Sequence, residues 1–263
     1  VSLRAQALVH RLGGGRPLLD GVDVHVEPGH CHALLGANGA GKSQLIALLA
    51  GDHLPAAGQI TLDGLELSRW TPAALARRRA VFSQTDPLRF PFCAREVVAL
   101  GRLPHGGSAA DNDAVVEQAL GWVEMTDAAN RNYLALSGGE RARLRLARTL
   151  AQLLPPPSSS AGYLLLDEPL AHFDAGFRLR ILHRLRTLAR QGYGVLLALH
   201  EPELALDWAD RVTLLVGGRV AFSGSPSALD ATQLSRAYGV EMRLVEAPRL
   251  TLAAPPCSGS GSW

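Results

Sequence analysis

The sequence predicts an α/β fold: a mostly parallel sheet covered by helices, with a β-rich N-terminal part and an inserted helical subdomain. Three observations predict it. Segments of strand type alternate with segments of helix type up to about residue 245. Three short, largely apolar runs, at Cys31–Leu35, 163–166 and 195–199, read as strands buried on both faces. From 86 to about 136 the pattern turns helical without a strand.

In chain order, strand patterns at 22–26 and Cys31–Leu35 form the β-rich start, and a glycine-rich loop then opens a helix over 42–49. Short strands follow at 59–62 and 80–83. The helical subdomain, spanning about 86–154, holds helices at 95–102 and 111–124 with a break at 105–108. In the stretch 141–154 the positions Leu144, Ala147, Leu150 and Leu154 recur at helical spacing, and Pro155, Pro156 and Pro157 end it. A strand at 163–166, a helix at 177–190 and a strand at 195–199 complete the core. One domain therefore covers 1–247. Residues 248–263, rich in Pro, Gly and Ser, read as a disordered tail.

With 263 residues, 47% of them hydrophobic, the chain can bury one large core but hardly two unrelated ones. A formal charge of +2 carries no bias toward nucleic acid. The cysteines Cys31, Cys93 and Cys257 have no short spacing, so neither a disulfide framework nor a zinc site is expected, and a reducing compartment suits them. No run approaches the ~18 apolar residues of a membrane span, and the first ten residues lack the pattern of a leader. Service to a membrane would need a partner. Of the 26 basic residues, Lys42 is the only lysine.

That lysine lies in Gly36-Ala37-Asn38-Gly39-Ala40-Gly41-Lys42-Ser43, which matches the phosphate-binding loop pattern and stands between a strand and a helix as the pattern requires. Glycines let backbone N–H groups turn toward a phosphate, the helix N-terminus adds partial positive charge, and a compact ammonium reaches the terminal phosphates where a guanidinium fits poorly. Ser43 would offer its hydroxyl to Mg²⁺. Further on, Leu136-Ser137-Gly138-Gly139-Glu140 precedes an amphipathic helix, and Ser137 with Glu140 equally fits a plain capping box. The run Tyr163-Leu164-Leu165-Leu166-Asp167-Glu168-Pro169 is an apolar strand ending in two carboxylates. Asp167 there suits a Mg²⁺ partner, and Glu168 could orient and activate a water against a γ-phosphate.

In this order the loop, the Leu-Ser-Gly-Gly segment and the strand ending in Asp-Glu resemble the ATP-binding domain of ABC transporters over about residues 1–245. The resemblance implies a P-loop NTPase with a RecA-like core, using ATP and Mg²⁺. It implies a head-to-tail homodimer in which ATP on Gly36 to Ser43 of one copy, with Gln44 beside it, is covered by Ser137, Gly138, Gly139 and Glu140 of the other. It also assigns Gln84 to Mg²⁺ and to signalling nucleotide state, His200 to the γ-phosphate, Asp167 to Mg²⁺ through water, Glu168 to catalysis, and Asp174 to a loop crossing the dimer interface. Three departures stand out. Gln44 replaces the usual threonine, no aromatic residue for adenine occurs in His10-Arg11-Leu12, which leaves His10 or Arg11 to stack, and the interface loop reads Ala171-His172-Phe173-Asp174.

A narrower resemblance bears on cargo. Phe90-Pro91-Phe92, the run Arg95-Glu96-Val97-Val98-Ala99-Leu100-Gly101-Arg102 and Pro104-His105 are similar to the importers of iron chelates, vitamin B12 and haem, and the Pro155-Pro156-Pro157 insertion resembles the haem-importer ATPases among them. This implies a motor on the cytoplasmic face of the bacterial inner membrane, bound to permease subunits that are served by a periplasmic haem-binding protein. A siderophore or cobalamin importer is the alternative cargo reading, and a soluble ATPase uncoupled from transport the alternative role. Direct haem binding is not expected: no Cys-Cys-His attachment motif occurs, and His10, His25, His30 and His32 read as surface residues.

Overall fold

The computed structural model describes residues 2–11, 15–83, 88, 90–154 and 162–243. Gln84, Asp86, Leu12, the triple proline, Cys257 and the 248–263 tail lie outside the described residues.

The chain folds into two sheets. In the first, β1 (Leu3–Arg11) pairs antiparallel with β2 (Pro17–Val26) and with β4 (Ala57–Leu62), which carries the two-residue β5 (Leu65–Glu66). The second sheet contains β3 (Cys31–Leu35), β6 (Arg79–Phe82), β7 (Tyr163–Asp167), β8 (Gly194–Ala198), β9 (Arg211–Val216) and β10 (Arg219–Gly224), in the order β10-β9-β3-β8-β7-β6. Its pairs are parallel except at β10. Every residue of β3, β7 and β8 is buried, as parallel strands covered on both faces require.

Because side chains alternate across a strand, these strands feed two cores. Leu34, Leu165 and Leu196 join the first sheet and α1 (Lys42–Ala50) in one core. Ala33, Leu35, Leu164, Leu166, Val195 and Leu197 face the other, which contains α3 (Ala94–Ala99), α4 (Ala109–Trp122), α5 (Gly138–Leu153) and α6 (Ala175–Arg190). The short helix α2 (Pro72–Ala76), and α7 (Pro202–Trp208) and α8 (Ala231–Tyr238) near the end, complete the set among the described residues.

The helices expected between 86 and 154 are present, and α5 ties them to the core. Its Gln152 amide donates to the carbonyls of Ala76 at 2.8 Å and Arg79 at 3.0 Å, and the Arg145 guanidinium donates to the Ser83 carbonyl. The inserted helices therefore share α5 with the edge of the parallel sheet. Cys31–Leu35, expected as part of the β-rich start, is one of the two middle strands of the parallel sheet, and the antiparallel start is built by β1 and β2 instead.

Two of the four histidines expected on the surface are buried. His10 is 7% exposed and stacks on His53 with ring centroids 5.8 Å apart, and His32 is 1% exposed. The His32 ring is tolerated in the core because both of its nitrogens find partners. His32 Nδ1 donates to the His25 carbonyl at 3.2 Å, and Nε2 accepts from the Thr213 hydroxyl at 2.9 Å. Burial, reinforced by the Arg211 charge, pushes the His32 pKa down to about 3. The ring stays neutral in the folded chain while the unfolded chain protonates below ~6.5, so its contribution to stability is complete above that pH and is lost as pH falls toward 3. Between pH 7.5 and pH 5 wild type should lose roughly 2 kcal/mol that His32→Gln does not lose. Urea midpoints across this range measure it, and parallel slopes for the two proteins would assign the titration to other groups.

Candidate functional site

The site begins where β3 ends. The loop leaves the sheet at Gly36, whose φ is +152°, and a Cβ there would lie 2.5 Å from the Leu215 carbonyl oxygen, so the close approach to β9 admits only glycine. Gly41, at φ +103°, turns the chain into α1 as its N-cap. No acidic residue occupies the first turn of α1, which leaves the positive end of the helix open to an anion. Lys42 is buried, and its ammonium donates to the Gly36 carbonyl at 2.7 Å and the Ala37 carbonyl at 3.4 Å. Burial lowers its pKa, opposed by the nearby charges of Glu168 and Asp167.

The neighbouring parallel strands end beside this loop. β7 delivers Asp167, whose carboxylate accepts a hydrogen bond from the Ser43 side chain. Burial raises the Asp167 pKa, and its Oδ1 is buried without a hydrogen-bond partner among the described residues. A buried carboxylate oxygen next to a hydroxyl is a donor set that fits a hydrated Mg²⁺. The next residue, Glu168, has a left-handed backbone (φ +52°, ψ +45°), an uncommon state for a non-glycine residue and one that clusters at functional sites. This turn holds Glu168 Oε1 3.7 Å from the Lys42 ammonium and 2.5 Å from His200 Nε2, which follows β8. Lys42, Ser43, Gln44, Glu168 and His200 thus line one cleft of about 380 Å³, together with Asn38, Gly39, Ala40, Gly41 and Leu18. It lies beyond the C-terminal ends of the parallel strands, where open α/β sheets bind ligands.

A second cleft, of about 570 Å³, gathers Ser137, Gly139, Glu140 and Asp174. Ser137 is the N-cap of α5, and the capping box is real: its hydroxyl accepts from the Glu140 amide at 3.2 Å, and the Glu140 carboxylate accepts from the Ser137 amide at 2.8 Å. These bonds, with Arg131 2.7 Å away, hold the Glu140 carboxyl below its ordinary pKa. Asp174 caps α6 through the Phe177 amide at 2.9 Å, which lowers its pKa as well. No residue lines both clefts.

Of the predicted residues, the structure thus brings the loop, Asp167, Glu168 and His200 together, groups Ser137, Gly139 and Glu140 with Asp174, and leaves Gln84 outside the described residues. Neither His10 nor Arg11 lines the first cleft: His10 packs on His53, and Arg11 donates to the Gly15 carbonyl at 3.1 Å. Leu18, which sequence reasoning passed over, supplies an apolar wall there. Its signal was faint, since one leucine at the start of a strand looks like any other.

A glycine-rich loop running from a buried strand into a helix, with lysine, hydroxyl and carboxylates converging from adjacent parallel strands, defines a P-loop NTPase fold. The chain belongs to the ABC transporter family, whose sequence pattern, described as "ABC transporter", matches residues 19–171. It is similar to the hemin import ATP-binding protein HmuV of Nocardia farcinica, with 44% identity over 94% of this chain and 86% of the relative. The protein of the same name from Streptomyces coelicolor is 46% identical over 90% of this chain and 83% of its own length. Among solved structures, one described as an ATP binding subunit of an ABC transporter shares the fold with a TM-score of 0.76 at 23% identity, covering 92% of this chain and 95% of that one. No helix among the described residues is long and apolar enough to cross a membrane.

Proposed function

We propose that the chain is the ATP-hydrolysing subunit of a hemin importer, acting as a head-to-tail homodimer on the cytoplasmic face of the inner membrane. It would bind permease subunits that receive hemin from a periplasmic haem-binding protein. The observation that carries the dimer is the split site: loop, lysine and Glu168 line one cleft, Ser137, Gly139, Glu140 and Asp174 the other, and no residue is common to both. Two copies arranged head to tail would place each loop against the other's Ser137-Gly138-Gly139 turn, two helix N-termini facing one triphosphate. The cargo rests on the names of the relatives.

Within one site, the loop amides and Lys42 would hold the phosphates, and Ser43, Asp167 and Gln84 would hold Mg²⁺, which when bound neutralises charge on the phosphate oxygens. Glu168 would orient the attacking water and accept its proton, and His200, 2.5 Å from Glu168 Oε1, would fix that carboxylate and meet the γ-phosphate. Gln84 would pass nucleotide state to the permease through the segment that follows it.

The permease contact is testable at Phe90. That ring is 66% exposed, 6.1 Å from Phe92, whereas Phe92 is half-buried against the core of the inserted helices. Phe90→Ala should therefore spare the fold and weaken the grip on a partner helix. In liposomes holding the chain with its copurifying permease and a hemin-loaded binding protein, hemin uptake should fall at least ~3-fold while basal ATP hydrolysis changes less. Stimulation by cobalamin or a ferric siderophore and not by hemin would reassign the cargo, and failure of any membrane protein to copurify would remove the transport role.

A further inference from the structure

The end of α4 carries a residue that its backbone position disfavours. The Met125 amide donates to the Leu120 carbonyl at 3.0 Å and the Glu124 amide to the Gly121 carbonyl at 3.2 Å, the paired bonds of a Schellman helix ending. The residue in the left-handed position of this ending is usually glycine; here it is Glu124, at φ +58°. The side chain explains what the backbone does not favour. Its carboxylate takes a two-pronged contact from Arg180, Nε to Oε1 at 2.8 Å and Nη2 to Oε2 at 3.1 Å, and lies 3.3 Å from Arg184 and 3.9 Å from Arg143. One acid from the inserted helices thus gathers three arginines from α5 and α6.

Arg143 lies one turn beyond the N-terminal Ser137-Gly138-Gly139-Glu140 segment of α5. Its guanidinium stacks 3.7 Å above the Phe177 ring and reaches the Asp174 carboxylate at 3.4 Å. Without Glu124, Arg143, Arg180 and Arg184 would repel one another, and Arg143 would lose one of its two anionic partners. We propose that Glu124 is a positioning residue: by holding the three arginines together it sets the Ser137-Gly138-Gly139 turn of α5 against the Asp174 loop, and so shapes the half of the site that covers a partner copy's nucleotide. The proposal rests on the shared-site reading above.

The residue offers an unusual control, because Glu124→Gly removes the carboxylate while easing the backbone. The test measures kcat and KM for ATP, together with the melting temperature, on the full chain and on Glu124→Gly, Glu124→Gln and Glu124→Asp. The Gly and Gln variants should lose ~5-fold or more in kcat with KM changed less than ~2-fold and melting within a few degrees of wild type. Aspartate, which tolerates the left-handed backbone and keeps the charge, should recover most of the loss. If all variants match wild type, the proposal is overturned while the ATPase reading stands. A fall in kcat that only follows a fall in melting temperature overturns it too, since Glu124 would then be a plain structural tie. If wild type itself hydrolyses no ATP, the shared-site reading fails and this proposal with it.

Discussion

Glu168→Gln is expected to abolish steady-state ATP hydrolysis, a loss of ~10²-fold or more, while ATP binding persists and an ATP-bound dimer accumulates. The amide matches the carboxylate in size and meets the same left-handed backbone, so no new strain arises at φ +52°. What disappears is the negative charge between the Lys42 ammonium, 3.7 Å from Oε1, and the His200 ring at 2.5 Å. An amide oxygen is a poor base for the water proton, so chemistry stops after closure. Removing the charge also leaves Lys42 more available to the nucleotide, which favours the bound state. Phosphate release, with size-exclusion chromatography in ATP, measures both effects. Turnover at the wild-type rate would take Glu168 out of the chemistry.

The second large effect separates the two clefts. Lys42→Ala should weaken ATP binding by the single chain ~10- to 100-fold, the scale of a lost charge-assisted contact. Ser137→Arg should leave that binding intact and block closure, because it places a bulky cation where a second copy's phosphates would approach a helix N-terminus. It also removes the Ser137 cap, at a cost of about 1 kcal/mol that thermal melting reads separately. Each variant alone should be inactive. Mixed in equal amounts they should recover roughly a quarter of wild-type activity, since half of the dimers are mixed and each of those keeps one of two sites. An inactive mixture, with both mutations weakening ATP binding by the single chain alike, would mean that the clefts do not share a nucleotide.

The parts of this site that could be read in advance are those in which local pattern and chemistry coincide. Cys31–Leu35 is a buried strand running into a glycine-rich turn, so backbone need and phosphate chemistry point to the same eight residues. The same holds for β7 and its terminal carboxylates. β1 was harder, because Ala7 at φ +46° and the register shifts beside it break the two-residue alternation by which a half-buried strand is seen. His32 misled because a histidine is polar by composition, and its burial depends on Thr213, 181 residues away. Glu124 was invisible for a related reason. A glutamate after a helix looks solvated until Arg180 and Arg184 arrive from α6, although an acid standing where a helix ending favours glycine was a usable signal. The Ser137 segment shows the reverse case: capping and ligand binding predict the same residues, and the capping box is formed without excluding the second use.

The lone lysine has a consequence for covalent chemistry. A surface whose cations are all guanidinium groups offers no ε-amine to acylating or carbamylating reagents, so Lys42 is the one such target in the chain. It is also a shielded one: the amine is buried and donates to the Gly36 and Ala37 carbonyls. Modification at an ε-amine would therefore strike the phosphate loop or nothing.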